Sequence, residues 1–137
     1  MPIYADKIFF LDVPPQRVRL KINGNAVKIP APYSCEKERE GLYMLQSGMI
    51  NGHRYWMKPD RSFGVWYANR PNSDISFWIF GTEDILGKPN GYIKSPHNNE
   101  NWPSDINCGW MYPTSVHFQW KIGSLNEILV ENESKGL

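Results

Sequence analysis

The side chains with the means to do chemistry in this chain are His53, His97, His117, Cys108 and Asp105. A nucleophilic site needs a nucleophile, a base and an orienting group in contact. Cys108 with His97 or His117 and Asp105 is the set that qualifies by residue type. A zinc site wants ligands at paired spacing on one element, but no histidine has such a neighbour, and neither Cys35 nor Cys108 has a C-x-x-C companion. Glu83 and Asp84, adjacent in a turn, read as solvated or capping carboxylates rather than an acid and base pair. The glycines are spaced as turns and form no phosphate-cradling loop. No motif specifies a reaction, so catalytic residues, a metal and a cofactor are all unexpected. A Cys108-based hydrolase or transferase stands only as a second alternative.

Aromatic rings offer a different chemistry. Trp102, Trp110 and Tyr112 lie in residues 95–113 (SPHNNENWPSDINCGWMYP), the longest stretch without strand periodicity. Irregular segments above ~15 residues in a compact domain are usually functional or mobile. Rings beside short amide and carboxylate side chains supply an apolar plate with directional hydrogen bonds. The expected contact set is His97, Asn98, Asn99, Trp102, Asp105, Trp110 and Tyr112. The chain is thus expected to be a non-catalytic binding or scaffold module that recognises a protein partner through this loop. A carbohydrate-binding domain using the same rings with Asn and Asp is the alternative. The competing structural reading folds these rings back as a lid over one end of the core.

These side chains must be positioned by β structure. Residues 17–22 alternate strictly, with Val18, Leu20 and Ile22 on one face and Arg17, Arg19 and Lys21 on the other. The basic face reads as a solvated edge guarded against sheet pairing. Asn23-Gly24 is expected to turn this strand into a hairpin with residues 26–29, preceded by a strand at 7–13. Pro30, Pro32 and the charged run at 36–40 suggest a surface loop or one helical turn. A second Asn-Gly, at Asn51 and Gly52, predicts a tight hairpin turn, and Pro59-Asp60 the next. Residues 63–68 follow as a strand. Residues 75–80 (ISFWIF), apolar at nearly every position, belong at the centre of a sheet covered on both faces. Short strands follow at 92–94 and 116–122. The last segment is ambiguous: Ser124 with Glu127 matches a capping box, whereas Ile128 to Val130 favour a strand, which is preferred. Of the strand tryptophans Trp56, Trp66, Trp78 and Trp120, at least three should be core.

The expected fold is all-β: a small antiparallel sheet, sandwich or partly closed barrel of about eight strands joined by hairpin turns. At 137 residues one β domain over residues 1–137 is expected, with an N-terminal hairpin at 7–29, an aromatic-rich core at 42–130 and a tail at 131–137. A net charge of +1 gives no global field toward nucleic acid or anionic membrane, and no run approaches the ~20 apolar residues of a span. The N-terminus lacks the form of a secretory signal, so an intracellular location is expected. Cys35 and Cys108 are expected as buried thiols, with a single bridge as the alternative if the chain is exported.

The ordered pattern I-N-G-x-x-Y-W, G-V-W-Y, W-I-F-G, G-Y-I-x-S and a late W-x-x-G resembles small aromatic-rich β modules of multidomain invertebrate and protist proteins. The resemblance covers about residues 42–130. It implies a binding or scaffolding unit and carries over no catalytic residues. His53-Arg54 stands where those modules commonly have Pro, and residues 7–29 fall outside the pattern.

Overall fold

The structure is a computed structural model that describes residues 13–23, 37–107, 109–113, 120–124 and 127–133. Nine antiparallel strands make one sheet, and the described residues contain no helix beyond single 3-10 turns. They are β1 (Arg17–Ile22), β2 (Gly41–Leu45), β3 (Trp56–Met57), β4 (Phe63–Asn69), β5 (Ser76–Thr82), β6 (Ile93–Lys94), β7 (Met111–Pro113), β8 (Trp120–Ile122) and β9 (Ile128–Asn132). β1 to β8 run as a meander, and β9 then pairs with β1 on its far side, giving the order β8-β7-β6-β5-β4-β3-β2-β1-β9.

That order forces curvature. β8 and β9 sit at opposite ends of the sheet yet are joined by residues 123–127 alone, a link that spans at most about 20 Å. Laid flat, nine strands about 4.8 Å apart would hold them nearly twice as far apart. The sheet therefore curls into a half-barrel. Hydrogen bonds cross the gap: the Tyr112 hydroxyl of β7 donates to the Glu127 carboxylate at 3.0 Å, and the Asn23 N–H after β1 donates to the Glu127 carbonyl at 2.7 Å.

The concave face holds the main core. Val18, Leu20 and Ile22 of β1 meet Tyr43, Trp56, Trp78, Phe80 and Ile93, with Ile128 and Val130 of β9. Rings pack edge to face, Tyr43 on Phe80 at 5.2 Å and Trp56 against Trp78 at 5.9 Å between centroids, the geometry that aromatic quadrupoles favour. Buried indole N–H groups anchor flanking chain: Trp56 donates to the Pro15 carbonyl at 2.8 Å and Trp66 to the Lys88 carbonyl at 2.9 Å. Trp56, Trp66 and Trp78 are fully buried, while Trp120 is partly exposed.

The convex face is divided. Over β4 and β5, Trp66, Ala68, Phe77 and Ile79 form a second apolar cluster, covered by Ile50 and Tyr55 from the β2–β3 connection and by Ile85 and Leu86 from the β5–β6 connection. This is why both faces of β4 and β5 are apolar. The Asn51-Gly52 turn directs part of that cover, with φ of 53° and 81° and reciprocal hydrogen bonds between Ile50 and His53.

Three expectations require comment. The basic stripe of β1 does not mark an edge, because β2 flanks it on one side and β9 on the other. Its cations face acids across the strand pair, Arg19 to Glu133 at 2.8 Å and Lys21 to Glu131 at 3.1 Å. The Ser124 N–H does donate to the Glu127 carboxylate at 3.1 Å as a capping box would, but the turn leads into β9 instead of a helix. The strands expected at 7–13 and 26–29 lie outside the described residues, apart from the exposed Val13.

Candidate functional site

Residues 95–100 are sewn onto the core. The Ser95 hydroxyl accepts the Trp78 backbone N–H at 2.9 Å, the Asn98 carbonyl accepts the Tyr67 hydroxyl at 2.9 Å, and the Glu100 carbonyl accepts the Trp78 indole N–H at 3.1 Å. Asn98 organises the loop from within: its amide donates to Ser95 Oγ at 2.8 Å and the Pro96 carbonyl at 2.7 Å, and its Oδ1 accepts the Glu100 N–H at 3.0 Å. A 3-10 turn at Pro103–Asp105 then leads back toward β7.

This placement corrects the expected contact set. Trp110 and Tyr112 have no exposed surface: Trp110 packs on Phe80 at 5.4 Å, and Tyr112 belongs to β7 with its ring in the main core. Neither ring can meet a partner. Trp102 is half-buried, edge-on to Trp56 at 6.3 Å, and shows one side to solvent beside Asn101, His53 and Arg54. Asn99 and Asp105 are exposed, and partial burial, then the nearby Glu100, pushes the Asp105 carboxyl above its ordinary range. His97 is exposed, but its Nδ1 lies 2.9 Å from the Ser76 N–H as acceptor.

The nucleophilic set falls only partly within the described residues. His97 and Asp105 make no hydrogen bond to each other, and Cys108, His117 and Cys35 lie outside the described residues. Among the described residues, no three His, Cys, Asp or Glu side chains gather as a metal site. Glu83 pairs with Arg61, and Asp84 accepts the Thr82 hydroxyl, so both carboxylates are occupied in structural contacts.

The concavity of most use lies on the convex face, on the half that Ile50, Tyr55, Ile85 and Leu86 leave uncovered. Strand register puts its residues side by side: Ile79 opposite Lys94, Lys94 opposite Met111, and Met111 opposite Ile122. A groove of about 540 Å³ runs here, with Phe77, Met111 and Trp120 among its apolar walls and Arg70, Lys94 and His97 as its basic members. Its size falls in the range of pockets that hold a small ligand or a short peptide. Ile122 beside it is 65% exposed and Ile75 at its rim 37%.

Lys94 is fixed in this groove by rings. Its Nζ sits 4.2 Å above Trp120 and 5.3 Å from the centre of Phe77, cation–π contacts that hold the ammonium without neutralising it. Partial burial, then the positive charge of Arg70, lowers its pKa from the ordinary lysine value. Among the described residues, no Asp or Glu lines the groove.

Sequence reasoning assigned His97 to the site and missed Arg70, Phe77, Lys94, Met111 and Trp120. The alternation of β5 and of residues 110–112 contained the signal for two of them, since Phe77 and Met111 fall on the side away from Trp78 and Trp110. Comparison with protein-family models, with curated proteins and with solved structures gives no match, so the site is argued from its own geometry.

Proposed function

We propose that the protein is a non-catalytic binding module that recognises a protein partner through the uncovered half of its convex face. The observation supporting this reading is the asymmetry of that face. Chain segments cover Trp66, Ala68 and Ile79 over β4 and β5, whereas from Phe77 across β6 to β8 the face keeps a groove and an exposed Ile122. Apolar patches left open on a folded domain mark interaction sites. The loop at 95–110 contributes His97 and the groove's lower wall, while its other rings stabilise the domain.

A photo-crosslinking amino acid placed at Ile122 is expected to yield crosslinked protein partners in cell extract. The same group at Asn99 or Asn72, both exposed, is expected to yield none. Equal crosslinking from all three positions, or crosslinking from Asn99 alone, contradicts the assignment of the face.

Carbohydrate binding is a second reading that one observation favours, the open side of Trp102 beside Asn101 in a smaller groove of about 270 Å³. It is weakened by the loop's own hydrogen bonds, which consume Asn98 and Ser95. A sugar would need several such groups unspent.

A further inference from the structure

The groove holds a charge pattern that the fold itself does not answer. Lys94 and Arg70 share one concavity, their like charges repel each other, and among the described residues no carboxylate lines the walls. Elsewhere Arg19, Lys21 and Arg61 each reach a glutamate, and Arg54 and Lys58 donate to backbone carbonyls. Among the described residues, Lys94 and Arg70 have no acidic partner. A partly buried Lys94 beside the exposed like charge of Arg70 costs stability, so a ligand bearing the opposite charge gains from both.

Hydrogen-bonding capacity narrows the class of ligand. The Ser95 hydroxyl is spent on the Trp78 N–H, the Pro96 carbonyl and the Asn98 amide. His97 Nδ1 is spent on Ser76. What remains is a wall of Phe77, Met111 and Trp120 with prolines at the ends, facing two cations, with Asn90 and the outer edge of the His97 ring as its other polar groups. A sugar ring or a nucleobase carries more polar edges than Asn90, His97 and the two cations can meet, and each edge left unpaired on such a wall costs binding energy. A peptide can lay down one apolar side chain and one carboxylate and leave the rest of its backbone in water.

We propose that this groove takes an extended peptide segment of a partner protein in which an Asp or Glu adjoins a bulky apolar residue. The carboxylate lies between Lys94 and Arg70, and the apolar side chain rests on Phe77, Met111 and Trp120. This rests on the reading of the convex face given above and adds the chemistry of what it binds.

The test is selection of a displayed random 12-residue peptide library on the full chain, followed by affinity measurement with the enriched peptides. The expected result is enrichment of Asp or Glu beside Leu, Ile, Phe or Trp. Replacing that acid by its amide, or making Lys94→Gln in the protein, should each weaken binding by about tenfold or more, and the two together by little beyond either alone. Arg70→Gln should act in the same direction, and added salt should weaken the parent pair and spare the neutralised one. Circular dichroism of each variant confirms that the fold is retained.

Three results would overturn the proposal in distinguishable ways. Enriched peptides without an acid that bind Lys94→Gln unchanged, yet lose binding with Met111→Asp, remove the carboxylate and leave the groove as a protein contact. Peptides unaffected by Met111→Asp remove the groove as well. An absence of enriched peptides, with tight binding of a polyuronate oligosaccharide instead, removes both readings in favour of a sugar.

Discussion

Trp110→Ala is expected to lower the free energy of unfolding by about 3–5 kcal/mol, whereas Trp102→Ala is expected to cost about 1–2 kcal/mol. The two rings sit eight positions apart in one irregular segment, and composition gives no reason to separate them. Burial separates them. Trp110 has no exposed surface and fills the concave core against Phe80, so its removal leaves a cavity that the curled sheet cannot close. Trp102 touches the core with one side and water with the other. Among the described residues, the Trp110 indole N–H has no hydrogen-bond partner. Trp110→Phe thus removes an unpaired donor along with volume, and is expected to cost only about 1 kcal/mol. Urea denaturation of the three variants checks this. Equal and small losses for both alanine variants would mean that Trp110 is not a core residue.

Gly109→Ala is expected to cost about 3 kcal/mol or to prevent folding, for a reason unrelated to side-chain packing. A Cβ at position 109 would lie 2.1 Å from the Gly123 carbonyl oxygen and 2.8 Å from an Ile122 methyl group. Backbone meets backbone here, where the Gly123 N–H also donates to the Trp110 carbonyl at 2.8 Å and ties the end of β8 to the start of β7. Nothing at this point can move aside without opening the β7–β8 pair. Gly52→Ala is the informative contrast, since its Cβ would meet nothing within 4 Å but its φ of 81° is unfavourable for an L residue. It is expected to cost about 1–2 kcal/mol, the conformational term alone. Thermal unfolding of both variants separates the two effects, and a Gly109→Ala loss no larger than that of Gly52→Ala would contradict the close approach.

Local features were legible in the sequence, and long-range pairings were not. The alternation of residues 17–22, the Asn51-Gly52 turn, the doubly apolar β5 and the final strand β9 are each encoded within a few residues, by period and by turn chemistry. The partner of β1 is encoded nowhere near it. β9 lies more than a hundred residues away, and its glutamates gave no sign that they answer Arg19 and Lys21. An apparent edge therefore became the interior of a sheet. Residues 95–113 looked like an exposed excursion because their polar residues outnumber their apolar ones. Yet Trp110, Met111 and Tyr112 alternate inward and outward as a strand does, and the hydroxyl and amide groups of Ser95 and Asn98 serve to fasten the loop. The groove was illegible for a related reason: its walls come from β5, β6, β7 and β8 together and exist only once the register is set.

The most direct measurement follows the indole N–H signals of the six tryptophans in a ¹H–¹⁵N spectrum as a soluble paramagnetic agent is added. A closed aromatic loop beside an open convex half predicts broadening of the partly exposed Trp120 and Trp102, and sharp signals from Trp56, Trp66, Trp78 and Trp110. Broadening of Trp110 together with a protected Trp120 would place the open surface on the loop and contradict the account.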